Sequence, residues 1–334
     1  MKKASAKANA NIALIKYWGK RDQRKMLPHN SSLSLTGDTL CTHTTVEFNP
    51  RRTQDVFVLN RREYAEGTPE YEIYIQGFMK KIRSLTGCGD KVRVESINYF
   101  PTAAGLASSA SGFAALTGAI NEALGMGWTS KEMSRIARLG SGSASRSVFG
   151  GFAVWYRGRE ENGEDSFAEE LYGSDYWPEF RMVVAVNSRF IKKFKSRFAM
   201  QRTVETSPMY RAWLETAEKD FEAAKKALAE KDFSALGQIV ESNALKMHAT
   251  MITTRPAVIY WNQGTVQVLR EVEALRQQGL ECYYTMDAGP QVKVLCLESQ
   301  MKRIMEALQK LPFIEDLIVV KPGKGMSLTE QDLF

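Results

Sequence analysis

Several stretches of the N-terminal half alternate between apolar and polar residues, which is the pattern of a half-buried strand. We predict strands at residues 39–49 and 55–60, paired with each other as a hairpin, and a third strand at 91–98. The apolar runs GFAVWY (151–156) and MVVAVN (182–187) predict buried strands. Strands therefore dominate this half of the chain.

Helical spacing of apolar residues occurs between these strands. Residues 69–86 carry apolar side chains three and four positions apart, and 112–124 is rich in Ala and Leu, so both stretches predict helices. A further helix is predicted at 130–139. Ser130 is its expected N-cap, because a serine hydroxyl can accept a hydrogen bond from an unpaired N–H group of the first turn.

The C-terminal half is predicted to be mainly helical, with helices at 207–229, 232–248, 265–278 and 300–311. The first should open with Ser207-Pro208, since proline at the first helical position has no N–H group to leave unpaired. Strands are predicted at 282–286, 291–297 and 314–320, and the tail from Lys321 is expected to be loose. This order of elements favours an α+β chain of two lobes, 1–187 and 188–334.

Length and composition exclude some classes of protein. The 334 residues, 44% of them apolar, suffice for one large or two ordinary domains. No apolar run approaches the ~18 residues of a membrane span, and Lys16 ends the run 12–15 too early for a secretory segment. We expect a cytoplasmic protein with no membrane partner. The four cysteines form no CxxC pair and the three histidines no metal-binding spacing, so neither disulfides nor a zinc site is expected.

The net charge of +7 and pI of about 9.1 suit an anionic partner: nucleic acid, acidic lipid or a phosphorylated small molecule. Residues 189–202 carry no acid and a run of basic residues: Arg189, Lys192, Lys193, Lys195, Arg197 and Arg202. This run is either a solvated basic face or part of an anion-binding surface. A nucleic-acid-binding protein is disfavoured, because no RRM, KH, zinc-finger or helix-turn-helix signature occurs.

The stretch FPTAAGLASSASG (100–112) follows a predicted strand and opens an Ala-rich helix. Unpaired N–H groups at a helix N-terminus attract anions, and small side chains let a phosphate approach the backbone. A close-packed helix start would have the same composition. The stretch contains no lysine and no GxGxxG, which excludes the GxxxxGK[ST] phosphate loop and the dinucleotide fingerprint.

The segment PTAAGLASSASG resembles the phosphate loop of the GHMP kinase superfamily. Further segments resemble the mevalonate diphosphate decarboxylase family and occur in its order: NIALIKYWGKRD (11–22), LPHNSSLSLT (27–36), GSGSASRSVFGGF (140–152), TVETSP (203–208) and MDAGP (286–290). Because these segments are distributed over most of the chain, they are far more specific than the phosphate loop alone.

The resemblance implies a two-lobed GHMP-kinase fold, with an N-terminal ribosomal-S5-like α/β lobe that binds ATP and a C-terminal ferredoxin-like α+β lobe. It implies conversion of mevalonate 5-diphosphate and ATP to isopentenyl diphosphate, ADP, phosphate and CO2, a step of isoprenoid biosynthesis. ATP, Mg2+ and a homodimer are expected. The alternatives are decarboxylation of mevalonate 5-phosphate and a small-molecule kinase that stops at the 3-phosphate.

Three catalytic residues follow from the resemblance: Asp287 faces the C3 hydroxyl, Lys16 lies beside Asp287, and Arg146 binds the substrate carboxylate. A neighbouring cation favours an ionised carboxylate, and a planar guanidinium suits a carboxylate ligand. The resemblance implies further substrate contacts from Asn11, Tyr17, Lys20, Ser141, Gly142, Ser143, Ser196, Arg197 and Met200. The ATP phosphates, with Mg2+ nearest the serine hydroxyls, are expected at Ala103, Ala104, Gly105, Leu106, Ala107, Ser108, Ser109 and Ser111.

The segment around Arg197, expected to close over the substrate, departs from the family pattern at Lys195, Phe198 and Ala199. Ala199 would restrict the backbone if that position needed a positive φ. These departures leave the number of phosphates on the substrate open at the level of sequence.

Overall fold

Two long strands, β1 (Lys2–Ile15) and β4 (Ser32–Asn49), form the centre of the first sheet as an antiparallel pair. A small hairpin of β2 (Lys20–Asp22) and β3 (Leu27–Pro28) connects them. The computed structural model describes residues 2–100, 108–187 and 196–334. The pairing of β1 with β4 is irregular between Asn9 and Asn11 and again between Ala13 and Ile15.

The other strands of the first sheet are β5 (Val56–Leu59), β6 (Arg62–Tyr64), β7 (Lys91–Asn98), β8 (Phe152–Trp155), β9 (Ala168–Tyr172) and β14 (Ser327–Thr329). Their order is β14-β1-β4-β7-β5-β6, with β8 paired to β4 and β9 to β8. The predicted hairpin of 39–49 with 55–60 is wrong, because β7 lies between β4 and β5 and runs parallel to β5. The helical crossover from β6 to β7 makes the parallel pairing possible.

Helices cover one face of this sheet. Residues 69–86 are helical throughout, as α1 (Pro69–Tyr71), a π-helical stretch (Glu72–Met79) and α2 (Lys80–Thr86). They are followed by α3 (Ser108–Leu124), α4 (Ser130–Arg138) and α5 (Ala144–Ser147). Phe78 and Phe113 from these helices pack with Val46 and Val94 from the sheet.

The second sheet is antiparallel with the order β11-β12-β10-β13. Its strands are β10 (Phe180–Val186), β11 (Tyr283–Thr285), β12 (Val292–Leu297) and β13 (Asp316–Val320). The helices of this half are α6 (Ser196–Thr206), α7 (Tyr210–Ala229), α8 (Phe233–Ile252), α9 (Gln263–Gln277) and α10 (Glu298–Leu308). The described part of the chain contains no helix that is both long and apolar enough to span a membrane.

The two sheets are interleaved in sequence. Strand β10 precedes residue 187 yet belongs to the second sheet, and β14 follows residue 188 yet belongs to the first. The expectation of a loose tail from Lys321 is wrong, because β14 pairs with Ser5–Lys7 of β1. The tail has no apolar pattern that predicts a strand. It is ordered because β14 adds to the edge of a sheet formed by residues far away in the sequence.

One apolar core joins the two sheets. Ile12 and Leu35 from the first sheet pack in the same cluster as Met182 and Val184 from the second, together with Phe221 of α7. The end of β1 is therefore held against the second sheet, and the residues that follow β1 lie where the two sheets meet.

Candidate active site

Asp287 follows β11 and meets Lys16, which directly follows β1. The Lys16 Nζ lies 2.9 Å from Asp287 Oδ1 and also donates to the carbonyl oxygen of Ala13. The backbone of Lys16 is fixed as well, since its N–H donates to Asn243 Oδ1 at 2.8 Å and its carbonyl accepts from Asn30 Nδ2 at 2.7 Å. The structure thus brings the two residues into contact across a separation of 271 positions.

A second lysine contacts the same carboxylate. Lys293 Nζ lies 3.0 Å from Asp287 Oδ2, and the Lys293 side chain is 0% exposed, whereas that of Asp287 is 27% exposed. Burial alone would raise the pKa of Asp287, but the ammonium groups of Lys16 and Lys293 hold it well below its usual range. Burial lowers the pKa of Lys16 to about 8 despite its contact with Asp287. Sequence reasoning missed Lys293, although a lysine within the apolar strand VKVLCL was an available signal.

The backbone of Asp287 is held by His248 of α8. The Nε2 of His248 lies 2.9 Å from the Asp287 carbonyl oxygen, and Trp261 Nε1 donates to His248 Nδ1 at 2.8 Å. Because Nδ1 accepts, Nε2 carries the proton and donates to the carbonyl. Burial lowers the pKa of His248 to about 3, so the ring is neutral at physiological pH. Sequence reasoning also missed this contact, since a lone histidine on an apolar helix gives no sign of its partner.

Arg146 lies on α5 with a side chain that is 2% exposed. Its guanidinium donates to Asn11 Oδ1, Ser34 Oγ and Ser32 Oγ, which are neutral acceptors. Within the described residues it forms no ion pair with a carboxylate, and burial lowers its pKa to about 10. A buried cation with only neutral partners has a free energy cost that an anionic ligand would offset.

Asn11 and two serines of β4 form the frame around Arg146. The Asn11 amide nitrogen donates to Ser147 Oγ and to the Ser143 carbonyl oxygen, which turns the amide oxygen toward the guanidinium. The alternation Ser32-Leu33-Ser34-Leu35 places both hydroxyls on one face of the strand and both leucines on the other. Sequence reasoning named Asn11 but missed Ser32 and Ser34, which this alternation could have revealed.

The predicted substrate segment at Ser141–Ser143 borders Arg146. Gly142 lies against the rings of Tyr17 and Trp155, and a Cβ at this position would collide with both. Ser141 Oγ lies 3.2 Å from Ser109 Oγ, near the start of α3. Ser141, predicted to bind the substrate, and Ser109, predicted to bind ATP, therefore lie within hydrogen-bonding distance of each other.

Lys20 and Arg197 form a second group of cations. Lys20 is almost fully buried, and burial with the nearby charge of Arg197 lowers its pKa to about 8. Arg197 is exposed and donates to the Gly140 carbonyl oxygen at 2.9 Å. Neither cation forms an ion pair with a carboxylate among the described residues. Burial raises the pKa of the Tyr17 hydroxyl, and the nearby charges of Arg197 and Arg146 act in the opposite direction.

The turn before Lys20 needs glycine. Gly19 has a φ of +95°, and a Cβ there would collide with the Tyr210 hydroxyl, which donates to the Trp18 carbonyl oxygen.

Helix α6 carries two of the predicted substrate residues. Ser196 is its first residue, and Met200 packs against the pair of Tyr17 and Trp155. Ala199 is buried on the same helix, so its backbone does not have the positive φ considered from the sequence.

Part of the predicted ATP loop can be located. Ser108 and Ser109 open α3, and Ser109 is exposed. Ser111 is fully buried, with its hydroxyl 2.7 Å from Thr42 Oγ1, and therefore contributes to the contact between sheet and helix. Ala103, Ala104, Gly105, Leu106, Ala107 and Lys195 lie outside the described residues.

The described residues contain no cluster of three His, Cys, Asp or Glu side chains that could hold a metal ion. The exposed hydroxyl of Ser109 is an oxygen donor of the kind that Mg2+ accepts, and Mg2+ binds with few protein ligands when it is carried by substrate phosphates. The Ser109 hydroxyl could thus be one protein ligand of a magnesium ion that arrives with a nucleotide.

Two family models match the chain in succession. The model described as diphosphomevalonate decarboxylase-like N-terminal domain matches residues 8–168, and the mevalonate 5-diphosphate decarboxylase C-terminal domain matches residues 182–325. The chain belongs to the diphosphomevalonate decarboxylase family.

Individual members of the diphosphomevalonate decarboxylase family match over nearly the whole length. The diphosphomevalonate decarboxylase of Candida albicans is 38% identical, over 93% of this chain and 88% of that protein. A solved complex of MDDEF with MVAPP, AMPPCP and magnesium has 43% identity, a TM-score of 0.93, and coverage of 98% of this chain and 99% of its own. The mevalonate diphosphate decarboxylase of Staphylococcus aureus has 40% identity, a TM-score of 0.93 and 98% coverage of both chains. The predicted family and its two-lobed α+β fold are confirmed.

Proposed function

We propose that the protein catalyses the ATP-dependent decarboxylation of mevalonate 5-diphosphate to isopentenyl diphosphate, with ADP, phosphate and CO2 as the other products. The observation that carries this proposal is the pairing of Asp287 with Lys16, with the buried Arg146 lacking a carboxylate partner among the described residues. The charges of Asp287 and Arg146 act on each other, so an acceptor for a hydroxyl and a receptor for a carboxylate share one site. The solved complex of the similar protein MDDEF with MVAPP, AMPPCP and magnesium supports both substrates.

The chemistry requires a better leaving group at C3. Hydroxide does not leave a tertiary carbon at neutral pH, whereas phosphate does, so the γ-phosphate of ATP is transferred to the hydroxyl first. Asp287 accepts the hydrogen bond of that hydroxyl and orients its oxygen toward the phosphorus; as the O–P bond forms and the bond to ADP breaks, the hydroxyl proton passes to an oxygen of the transferred phosphate. Its depressed pKa keeps it ionised over the whole physiological range.

Arg146 holds the carboxylate of the substrate until the bond to C2 breaks. A guanidinium presents parallel N–H donors to a carboxylate, and its neutral partners Asn11, Ser32 and Ser34 fix its plane without cancelling its charge. As phosphate leaves, positive charge develops at C3 and the electrons of the breaking C–C bond form the double bond.

Lys20, Arg197 and the Tyr17 hydroxyl are proposed to bind the diphosphate. The two cations lie close enough for Arg197 to lower the pKa of Lys20, and an anion between them would relieve that repulsion. Ser141, Gly142 and Ser143 would line the substrate between this group and Arg146. Ser196 and Met200 are proposed to contact it from α6.

The loop 103–107 and the first turn of α3 are proposed to hold the ATP phosphates through backbone N–H groups. The exposed Ser109 hydroxyl, with Ser108 as its neighbour on the same turn, would be available to Mg2+, and that ion would neutralise phosphate charge. Ser111, whose buried hydroxyl contacts Thr42, is proposed to support this site by holding α3 against β4. A homodimer and a cytoplasmic location stay predictions of the sequence.

The decisive experiment measures ADP and 14C-labelled CO2 together, with mevalonate 5-diphosphate and with mevalonate 5-phosphate as substrates. We expect equal amounts of ADP and CO2, and a higher kcat/KM for the diphosphate. ADP formed without CO2 would identify a kinase, and a higher kcat/KM for the monophosphate would identify the sister decarboxylase. Asp287→Ala is the matched negative control, since it should bind ATP but lose nearly all turnover.

A further inference from the structure

We propose that Lys293 is a positioning residue of this reaction: together with Lys16 it holds both oxygens of Asp287, so that the carboxylate meets the C3 hydroxyl of the substrate in a single orientation. The inference rests on the proposed function and adds a residue to it. Lys293 contacts Oδ2 at 3.0 Å while Lys16 contacts Oδ1 at 2.9 Å.

The strand register explains how Lys293 reaches the carboxylate. Lys293 of β12 is directly opposite Thr285 of β11, and Asp287 lies two residues beyond Thr285 at the start of the turn. The two arms of one turn therefore supply the acid and its second cation. Because Lys293 is 0% exposed and Asp287 is 27% exposed, the lysine lies behind the carboxylate and acts through it.

Among the described residues, the charge of Lys293 is paired with Asp287 and with no other carboxylate. Its strand neighbours Val292 and Val294 are fully buried and apolar, and burial of an ammonium group among such residues is unfavourable unless the group is paired. Its described ion pair is the one with Asp287. A neutral side chain would fill the same space without this cost, so the position of the lysine points to a role for its charge.

Two ammonium groups beside one carboxylate make the carboxylate a weaker base. The charged and titratable groups that act on Asp287 are Lys16 after β1, Lys293 on β12, Arg146 on α5 and the neutral His248 on α8. A carboxylate in this surrounding is a weak base, so it orients the hydroxyl by accepting a hydrogen bond rather than by keeping its proton. Lys16, Lys293 and Arg146 also leave the described site with more positive than negative charge, which favours two anionic substrates.

The test is Lys293→Met, which keeps the length of the side chain and removes the charge. We expect kcat to fall about 10- to 100-fold, because a small misplacement of a catalytic group has effects of this order, while the KM for ATP changes less than about twofold. The 13C resonance of the Asp287 carboxyl group, assigned by its loss in Asp287→Asn, should show the wild-type carboxylate ionised down to the lowest pH at which the protein is folded, whereas in Lys293→Met the pKa should rise and protonation should begin at a higher pH.

The control is Arg276→Met, which removes a cation from another ion pair of the same lobe, at 2.7 Å from Glu241. It should leave kcat within about twofold and the Asp287 titration unchanged. An unchanged Asp287 titration in Lys293→Met overturns the proposal whatever the value of kcat, and a kcat within twofold of wild type overturns it as well. If Lys293→Met does not fold, Lys293→Gln takes its place with the same expectations.

The two proposals fail in different ways. Absence of CO2 release by the wild-type enzyme would overturn the proposed function. In that case the titration of Asp287 would still decide whether Lys293 holds the carboxylate.

Discussion

Arg146 and Asp287 have different electrostatic surroundings. Its charge is buried, and its described partners are Asn11, Ser32 and Ser34, all of them neutral. Asp287, by contrast, has two cations of its own and needs no ligand to stay ionised. Arg146 therefore has a positive charge without a described carboxylate partner, whereas both carboxylate oxygens of Asp287 are paired with lysines.

Replacement of Arg146 by Met should lower kcat/KM for mevalonate 5-diphosphate by roughly 10²- to 10³-fold, because the contact with the carboxylate is made in both ground and transition states. The KM for ATP should stay within about twofold. Steady-state kinetics with each substrate varied in turn measures both effects. Arg135→Met on α4, which breaks an exposed pair with Glu164, is the control and should leave the kinetics unchanged. A normal KM and kcat in Arg146→Met would contradict the assignment.

His248 makes stability depend on pH. Its pKa is about 3 in the folded protein and 6.5 is the ordinary value, so between these values the unfolded chain binds a proton that the folded chain does not. The free energy of unfolding should therefore fall as the pH falls from 6.5 toward 3.

His248→Gln, which can still donate to the Asp287 carbonyl and accept from Trp261, should remove about 1.4 kcal/mol per pH unit from this slope. Denaturant unfolding at pH 6.5, 5.5 and 4.5 measures it against the wild type. His29 and His43, whose pKa values are also lowered, contribute equally to both proteins. Equal slopes for the two proteins would show that His248 does not titrate in this way.

At the scale of elements, the spacing of apolar residues predicted whether a segment is helical better than it predicted the residues at which the helix begins and ends. Residues 130–138 form a helix as predicted, but the N-cap is Thr129, whose hydroxyl accepts from the Glu132 N–H while the Glu132 carboxylate accepts from the Thr129 N–H. Residue 207 was predicted to begin a helix, whereas α6 ends at Thr206 and α7 begins at Tyr210. A proline disfavours helical conformation in the residue before it, which explains why α6 ends before Ser207.

The cap gives a direct test. Thr129→Ala should lower the free energy of unfolding by about 1 kcal/mol, because it removes the hydroxyl that accepts from the Glu132 N–H, while the backbone N–H of residue 129 can still donate to Glu132. Ser130→Ala is the matched control one position away and should change it by less than about 0.5 kcal/mol. Thermal or denaturant unfolding of the three proteins decides the matter. A larger effect at Ser130 than at Thr129 would restore the original sequence prediction.

At the scale of the whole molecule, the C-terminal segment stabilises the first sheet. Strand β14 pairs with Ser5–Lys7, Asp332 accepts from Ser5 Oγ at 2.6 Å, and the Leu333 N–H donates to Thr45 Oγ1 at 3.0 Å. These contacts place the segment on the edge of β1, the strand that leads to Lys16.

Deletion of residues 327–334 should open that edge. Amide hydrogens of Ser5–Lys7 should exchange at least about tenfold faster, because local opening determines their protection. Hydrogen exchange followed by mass spectrometry measures this, and peptides from β12 (Val292–Leu297) serve as the internal control. Unchanged protection of β1 would mean that its pairing with β4 alone is sufficient.

The sequence by itself determined the family and the two-lobed α+β class, and it predicted site residues, because family motifs and local periodicity depend only on neighbouring positions. It named Lys16, Arg146 and Asp287 through the resemblance, and the structure brings Lys16 and Asp287 into contact. It placed β5 beside β4 and left the tail loose, because a period of two residues specifies the face of a strand but not its partner.

Only the tertiary structure showed that Lys293 and His248 lie beside Asp287 in addition to Lys16. Lys293 comes from the next strand of the second sheet, and His248 comes from α8, 39 positions earlier in the chain. Their meeting depends on strand register and on the packing of a helix against a sheet, which are long-range properties that no local pattern encodes. The resemblance thus predicted a role for Asp287, whereas the fold determines the charges that surround its carboxylate.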